Sequence, residues 1–311
     1  QQKYMDVVSD FENLTMLKGW AEFVDNKTIV VDGKDKYSAT NIVIATGATT
    51  NIPNIEGLNK VGYLTNVSLF DLEEKPKSLT IMGAGYIGLE IAQAYSRLGV
   101  KVRIIEFTDR PLRSQTSDIT DVLVEQMKSE GIEILPNFRA FKFEKRGKDT
   151  IIHCNCPDGS TTQIIEKGHI VVATGTKPNT SKLGLENIGI NLTKSGQIIV
   201  NKKMETNVSN LYATGDVTNT PPFVYTAATE GNTAVNNAFS LSKKSVDYTS
   251  LPWVVFTDPQ IAGAGMDEIE AEAKGIPFEV SKLDLKHVPR ALAAQDIRGF
   301  IKLIRNTETD K

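Results

Sequence analysis

The sequence predicts an α/β protein made of two domains of like topology, the second inserted in the first, followed by part of an α+β domain. The first indication is a repeat. Ile42-Val43-Ile44-Ala45-Thr46-Gly47-Ala48 recurs as Ile170-Val171-Val172-Ala173-Thr174-Gly175-Thr176, and self-similarity of this kind marks two units of one topology. The second indication is a strand, glycine turn and helix from Ser78 to Leu98, whose Gly83 lies 92 positions ahead of Gly175. Only 46 residues stand ahead of Gly47, so the first unit is expected to lack its opening strand, turn and helix. The third is the buried-strand pattern Asn210-Leu211-Tyr212-Ala213-Thr214-Gly215-Asp216, through which the first unit returns after the second.

The elements follow in order. Ser78-Leu79-Thr80-Ile81-Met82 reads as a short buried strand, and Tyr86 to Leu98 carries apolar residues at helical spacing until Gly99. Val100 to Ile105 is a second strand, ending at Glu106, which completes a right-handed parallel crossover. A helix is expected over Ser117 to Glu130, stopped by Gly131, and a strand over Ile132 to Leu135. Alternating stretches at Phe141–Glu144, Ile151–Cys156 and Thr162–Ile165 read as an antiparallel meander, with Cys154 and Cys156 on one face of a strand. Phe223 to Phe239 is helical in pattern. Beyond Leu251 the expectation is strands at Trp253–Thr257, Ile261–Gly265 and Gly299–Ile304, with an amphipathic helix from Asp267 to Lys274. The resulting domains are 1–74 with 201–248, then 75–200, then 249–311. The chain opens without Met and stops in a turn-like segment straight after a strand, so both ends are expected to be cut.

Composition narrows the function. With 40% hydrophobic and 23% charged residues, the chain has the make-up of a folded globular protein. A net charge of -3 without a basic block offers no footprint for nucleic acid or anionic lipid, which leaves small-molecule partners. No apolar run reaches the roughly 18 residues of a membrane span, and the opening residues lack a signal-peptide pattern, so a cytoplasmic location is expected. Cys154 and Cys156 are too few and too close for a disulfide framework. His153, His169 and His287 have no paired ligand spacing, so no metal site is expected.

Gly83-Ala84-Gly85-Tyr86-Ile87-Gly88 is the main candidate site. Between a strand and a helix, the first glycine permits the tight turn, the second admits a pyrophosphate close to the backbone, and the third lets helix pack on strand. Unpaired N–H groups and the positive helix dipole then face the diphosphate. Glu106 ends the next strand, where its carboxylate accepts hydrogen bonds from the ribose hydroxyls. The plain alternative is a structural turn with an unrelated surface acid. Asp216 stands past a strand at the edge where α/β sheets bind ligands, although an Asp there also serves as a helix cap.

The two Ala-Thr-Gly segments, the glycine turn running into Gly88-Leu89-Glu90, and Tyr212-Ala213-Thr214-Gly215-Asp216 resemble the pyridine nucleotide-disulfide oxidoreductases, over essentially the whole chain. The resemblance implies two Rossmann-like domains, one for FAD and one for NADH or NADPH, and a dimerisation domain that makes a homodimer. Phe223-Val224-Tyr225, Val255 to Gln260 and Val288 to Ala293 are most similar to the branch that reduces thiol-bound Hg(II), and next to the branch that oxidises dihydrolipoamide. It further implies that Asp216 binds the FAD ribityl chain and that Thr46 and Gly47 lie near FAD. Gly175, in the matching place of the second copy, joins the candidate cofactor residues. Tyr86 is implied to be a movable lid where nicotinamide stacks, and Glu90 to pair with a lysine near the flavin on a segment this chain lacks. The family's redox cysteine pair falls in the missing opening, so activity of the chain alone is not expected, and a non-catalytic nucleotide-binding module stays as the rival reading. Glu106 favours NADH over NADPH by charge, while Arg110 and Arg113 follow closely enough to pair a 2'-phosphate.

Overall fold

The computed structural model describes residues 11–310. The reading of the opening residues as free of a signal sequence rests mainly on residues outside that range. The chain forms two compact units, 1–48 with 178–246, and 49–177 with 247–311. The second is thus inserted in the first along the chain, as the repeat implied.

In the first unit Ala21–Asp25, Thr28–Val31 and Asp35–Ser38 form an antiparallel sheet. Ile42–Ile44 pairs in parallel with Leu211–Ala213, the two strands read from the repeat and from its return. Helix Val224–Phe239 follows. A core of Phe23, Ile44, Leu183, Leu185, Ile198, Leu211 and Val217 holds these pieces together.

The second unit is organised by a four-stranded parallel sheet in the order His169–Val172, Ser78–Met82, Lys101–Ile105, Glu133–Leu135. All but the first residue of Ser78–Met82 are buried, which is why it reads as an unbroken apolar run. Helix Tyr86–Arg97 packs Leu89, Ile91 and Ala92 on this sheet and ends at Gly99, whose φ of 80° is the left-handed turn expected after a helix. Helix Ser117–Ser129 adds Leu123 and Met127 and stops before Gly131, with φ of 83°. The meander is present as Arg139–Arg146, Asp149–Asn155 and Thr161–Glu166.

Residues 247–310 contribute two separate hairpins, Pro252–Val255 with Ile261–Ala264, and Phe278–Asp284 with Phe300–Asn306. Asp267 caps helix Glu268–Ala273 by accepting the Glu270 N–H at 2.8 Å. Val255 and Ile261 join the core under helix Tyr86–Arg97. Two elements here escape the sequence reading, strand Phe278–Asp284 and helix Pro289–Ala294. Val280 and Leu283 lie an odd number of positions apart, so that strand has no period-two pattern to reveal it.

One expectation needs correction. The strand carrying Cys154 ends at Asn155, so Cys156 lies beyond it, where its N–H bonds to Ser160 O at 2.8 Å. Cys154 is buried and Cys156 half-buried, and the two do not share one strand face. Among the described residues no helix is long and apolar enough to cross a membrane, and no group of His, Cys, Asp and Glu has the geometry of a metal site.

Candidate functional site

The glycine turn stands between the central strand and helix Tyr86–Arg97, and each glycine has its own reason. A Cβ on Gly83 would lie 2.4 Å from Ala173 O, and φ there is +103°. A Cβ on Gly88 would lie 2.1 Å from Gly83 O. These two positions are closed by protein. Gly85 differs, because a Cβ there meets nothing within 4 Å. It is also the N-cap of the helix, and no side chain caps it. The first-turn N–H groups therefore look onto open space at the positive end of the helix dipole, a cradle suited to a diphosphate.

Glu106 is 6% exposed. Its Oε2 accepts the Ala84 N–H at 2.6 Å, and its Oε1 accepts the Thr108 N–H and hydroxyl, each at 2.7 Å. A carboxylate offers about four acceptor positions, so three are used and one remains on Oε2. The side chain thus braces the glycine turn as well as ending the strand. Thr108, which sequence reasoning passed over, fixes the carboxylate from the other side.

The two arginines behave differently from each other. Arg113 is exposed and only 3.8 Å from Asp109. Arg110 turns back, donating from Nη2 to Arg113 O at 3.1 Å, and its Nη1 is buried without a partner.

Tyr86, at the first helical position, rests its ring against Trp253 with centroids 6.4 Å apart and planes at 58°. Its hydroxyl has only long contacts, 3.4 Å to both Ser114 Oγ and Gln115 Nε2. Glu90 Oε1 accepts the Phe256 N–H at 2.8 Å. Gly175, with φ of +90°, lies three residues past the end of the neighbouring strand His169–Val172 and is exposed.

Thr46, Gly47 and Asp216 belong to the other unit. Thr46 donates to Asn179 O at 2.9 Å, and Gly47 O accepts the Asn179 N–H at 2.9 Å, so Asn179 closes the Ala-Thr-Gly turn. Gly47 has φ of +66°, with nothing within 4 Å of a Cβ position. Asp216 lies in the turn Gly215–Val217, half-buried, and among the described residues its carboxylate takes no hydrogen bond. Behind it the buried Glu230 accepts the Gly215 N–H at 2.7 Å, a support with no signal in the local sequence. A free carboxylate beside an open glycine turn fits a polyhydroxyl chain.

The Cys154 thiol does not fit a relay. Burial pushes the Cys154 thiol up to about 11, with the neighbouring Cys156 adding to the shift. It is therefore protonated near neutral pH and a poor nucleophile or metal ligand.

Comparison with known proteins gives the family and the fold. Residues 2–231 match the family model for pyridine nucleotide-disulphide oxidoreductases, and 251–311 match the dimerisation domain of the same family. A mercuric reductase of Staphylococcus aureus is 37% identical over 311 residues, covering 100% of this chain and 56% of that protein. A dihydrolipoyl dehydrogenase of Geobacillus stearothermophilus is 34% identical over 94% of this chain and 62% of its own. Among solved structures, the HOCl-induced flavoprotein disulfide reductase RclA of Escherichia coli superposes with a TM-score of 0.88 at 29% identity, over 99% of this chain and 70% of that one. The chain spans about half the length of the curated relatives it matches.

Proposed function

The chain belongs to the pyridine nucleotide-disulphide oxidoreductase family, and from that premise we propose that it carries the nicotinamide-nucleotide site of a flavin-dependent reductase whose acceptor is thiol-bound Hg(II). The observation that carries the reading is the cradle at Gly85, open and uncapped, beside the fixed carboxylate of Glu106. Mercuric reductases at 34–37% identity support thiol-bound Hg(II) as the acceptor, and a dihydrolipoyl dehydrogenase at 34% keeps dihydrolipoamide as the alternative.

The family binds FAD and NAD(P)H. When bound, these cofactors supply hydride and electron transfer toward a cysteine pair and its thiol-bound acceptor. The chain's own residues position and protect. The first-turn N–H groups around Gly83, Gly85 and Gly88 hold a diphosphate. Glu106 accepts a ribose hydroxyl on its remaining acceptor position and disfavours a 2'-phosphate by like charge, which favours NADH. Tyr86 covers the nicotinamide and excludes water, and its long hydroxyl contacts leave the ring free to swing. Glu90 keeps one carboxylate oxygen for a cation near the reacting ring. Asp216 accepts from the ribityl hydroxyls, with Thr46, Gly47 and Gly175 lining the cofactor edges of their strands. In functional terms the chain divides into 1–74 with 201–248 for FAD, 75–200 for the nucleotide, and 249–311 for a homodimer contact.

A second reading is favoured by one fact: Cys154 and Cys156 are the chain's only cysteines, and burial keeps the Cys154 thiol protonated and unsuited to electron relay. The 311 residues by themselves then act as a nucleotide-binding module without turnover. Calorimetric titration with NADH tests the site, and absence of binding overturns both readings. Gel filtration with added FAD should leave the chain colourless, and assays with NADH, FAD and Hg(II) should stay at the no-protein rate. Turnover above that rate would show that a relay exists in the chain.

A further inference from the structure

One face of the helix that opens the nucleotide site is held by one short segment, with Glu130 as a further partner of Gln93 at 3.2 Å and of Arg97 at 2.6 Å. Tyr86, Glu90, Gln93 and Arg97 follow one another at four, three and four residues, which aligns them on one side of the helix. All four meet Trp253–Asp258, and they do so in order. Tyr86 rests on the Trp253 ring. Glu90 takes the Phe256 N–H. Gln93 Oε1 accepts the Asp258 N–H at 2.7 Å while its Nε2 donates to Asp258 O at 2.8 Å. Arg97 pairs with the Asp258 carboxylate at 2.8 Å, which Arg298 shares at 2.6 Å.

Gln93 differs from the two charged members. It is 3% exposed and pairs with both backbone groups of one residue, so sliding the segment along the helix breaks two part-buried hydrogen bonds at once. Glu90 and Arg97 lie nearer solvent and hold one point each. At the far end of the segment the indole of Trp253 lies on bare backbone, because a Cβ on Gly263 would come within 2.8 Å of it. The height of Trp253 is thus set by packing beneath and by the Gln93 clamp along the helix. Tyr86, with no firm hydrogen bond of its own, takes its resting place from that seat. The diphosphate end of the site is independent: Gly83 to Gly88 and Glu106 are braced by Ala173, Ala84 and Thr108, none of which belongs to Trp253–Asp258.

We propose that Gln93 is a positioning residue for the nicotinamide end of the nucleotide site, acting through Asp258 and Trp253 on the resting position of Tyr86. The proposal rests on the reading of Tyr86 as the ring that covers the nicotinamide. Its consequence is a split between the two halves of one ligand: loosening the clamp weakens recognition of nicotinamide and leaves recognition of the adenosine diphosphate half intact.

The test uses the full 311-residue chain in a Trp20→Phe background, which leaves Trp253 as the only tryptophan. NADH and ADP-ribose are titrated against this protein and against its Gln93→Met and Gln93→Glu variants. Met keeps the volume and loses both hydrogen bonds to Asp258 along with the longer one to Glu130. Glu keeps an acceptor for the Asp258 N–H but sets a second carboxylate against Asp258 O and the Glu130 carboxylate, so it should loosen the clamp at least as much as Met. For Gln93→Met the expected result is NADH binding weaker by roughly threefold to tenfold, ADP-ribose binding unchanged within about twofold, and less quenching of Trp253 emission by bound NADH. If Gln93→Met lowers the folded fraction, the ratio of NADH to ADP-ribose affinity in Gln93→Glu carries the same comparison. Equal losses for both ligands would mean a merely structural glutamine and overturn the proposal, as would an unchanged NADH affinity. A parent protein that binds ADP-ribose and not NADH would overturn the lid reading itself, and one that binds neither would overturn the nucleotide site.

Discussion

The two Ala-Thr-Gly segments have almost the same residues and keep different company. Ile42–Ile44 pairs with a single partner strand, and the space beside Gly47 is open. His169–Val172 lies at the edge of a four-stranded sheet, and Ala173 O presses against Gly83 of the glycine turn. Both segments run from a strand into a left-handed glycine, with φ of +66° at Gly47 and +90° at Gly175. The local sequence therefore builds the same strand ending twice. Only where a strand, glycine turn and helix pack against that ending does it become one wall of the proposed nucleotide cradle.

The largest effect that tests this contrast comes from adding one methyl group to each unit. Gly83→Ala meets both a backbone collision and an unfavourable φ, and should cost the second unit roughly 2–4 kcal/mol in chemical denaturation. Gly47→Ala meets only the φ, at about 1 kcal/mol. Equal losses would break the comparison. Glu106→Gln comes next, since it removes the charge and keeps an acceptor for Ala84 or Thr108. Calorimetry should find NADH bound more tightly than NADPH by the parent, and the variant narrowing that gap by about 1–2 kcal/mol. An NADPH preference in the parent would mean that the unpartnered Nη1 of Arg110 outweighs the carboxylate.

Gly85→Ala sharpens the contrast in another way. Its Cβ meets no protein atom and its φ is an ordinary -79°, so stability should change by less than about 0.5 kcal/mol while NADH affinity drops measurably. Unchanged affinity would place the diphosphate elsewhere. The smallest effect is electrostatic. Hydrogen bonds from Arg97 hold Glu130 and Asp258 below the usual carboxylate range, and the Arg298 guanidinium lowers Asp296 to about 2. Carboxylates with depressed folded values stabilise the protein above the unfolded range and lose that contribution as pH falls through the folded value. Thermal midpoints should therefore decline from roughly pH 5 to roughly pH 2, mainly in the second unit. Asp258 and Asp296 are about half exposed, so each pair contributes less than about 1 kcal/mol. A shallower decline in Arg97→Gln would assign that share to Arg97, and an unchanged slope would exclude it.

Much of this was legible along the chain. The repeat foretold the insertion, Gly99 and Gly131 marked two helix ends, and the glycine turn with Glu106 located the candidate site, because backbone handedness and side-chain periodicity are local properties. Strand Phe278–Asp284 was not legible, since its exposed and half-buried positions carry no alternation. Nor was the second task of Glu106, whose carboxylate is held by Ala84 and Thr108 as well as facing the site. Tyr86 and Glu90 could be named from the sequence, yet Gln93 passed for one polar residue in an amphipathic helix. Its partner Asp258 lies 165 positions away, and a hydrogen bond across that distance has no trace in spacing or composition. What the sequence by itself determined was most of the strands, turns and helices, with the carboxylate and glycines they present. Which of those side chains meet was decided by tertiary packing, because burial and hydrogen-bond pairing depend on distances that only the folded chain creates.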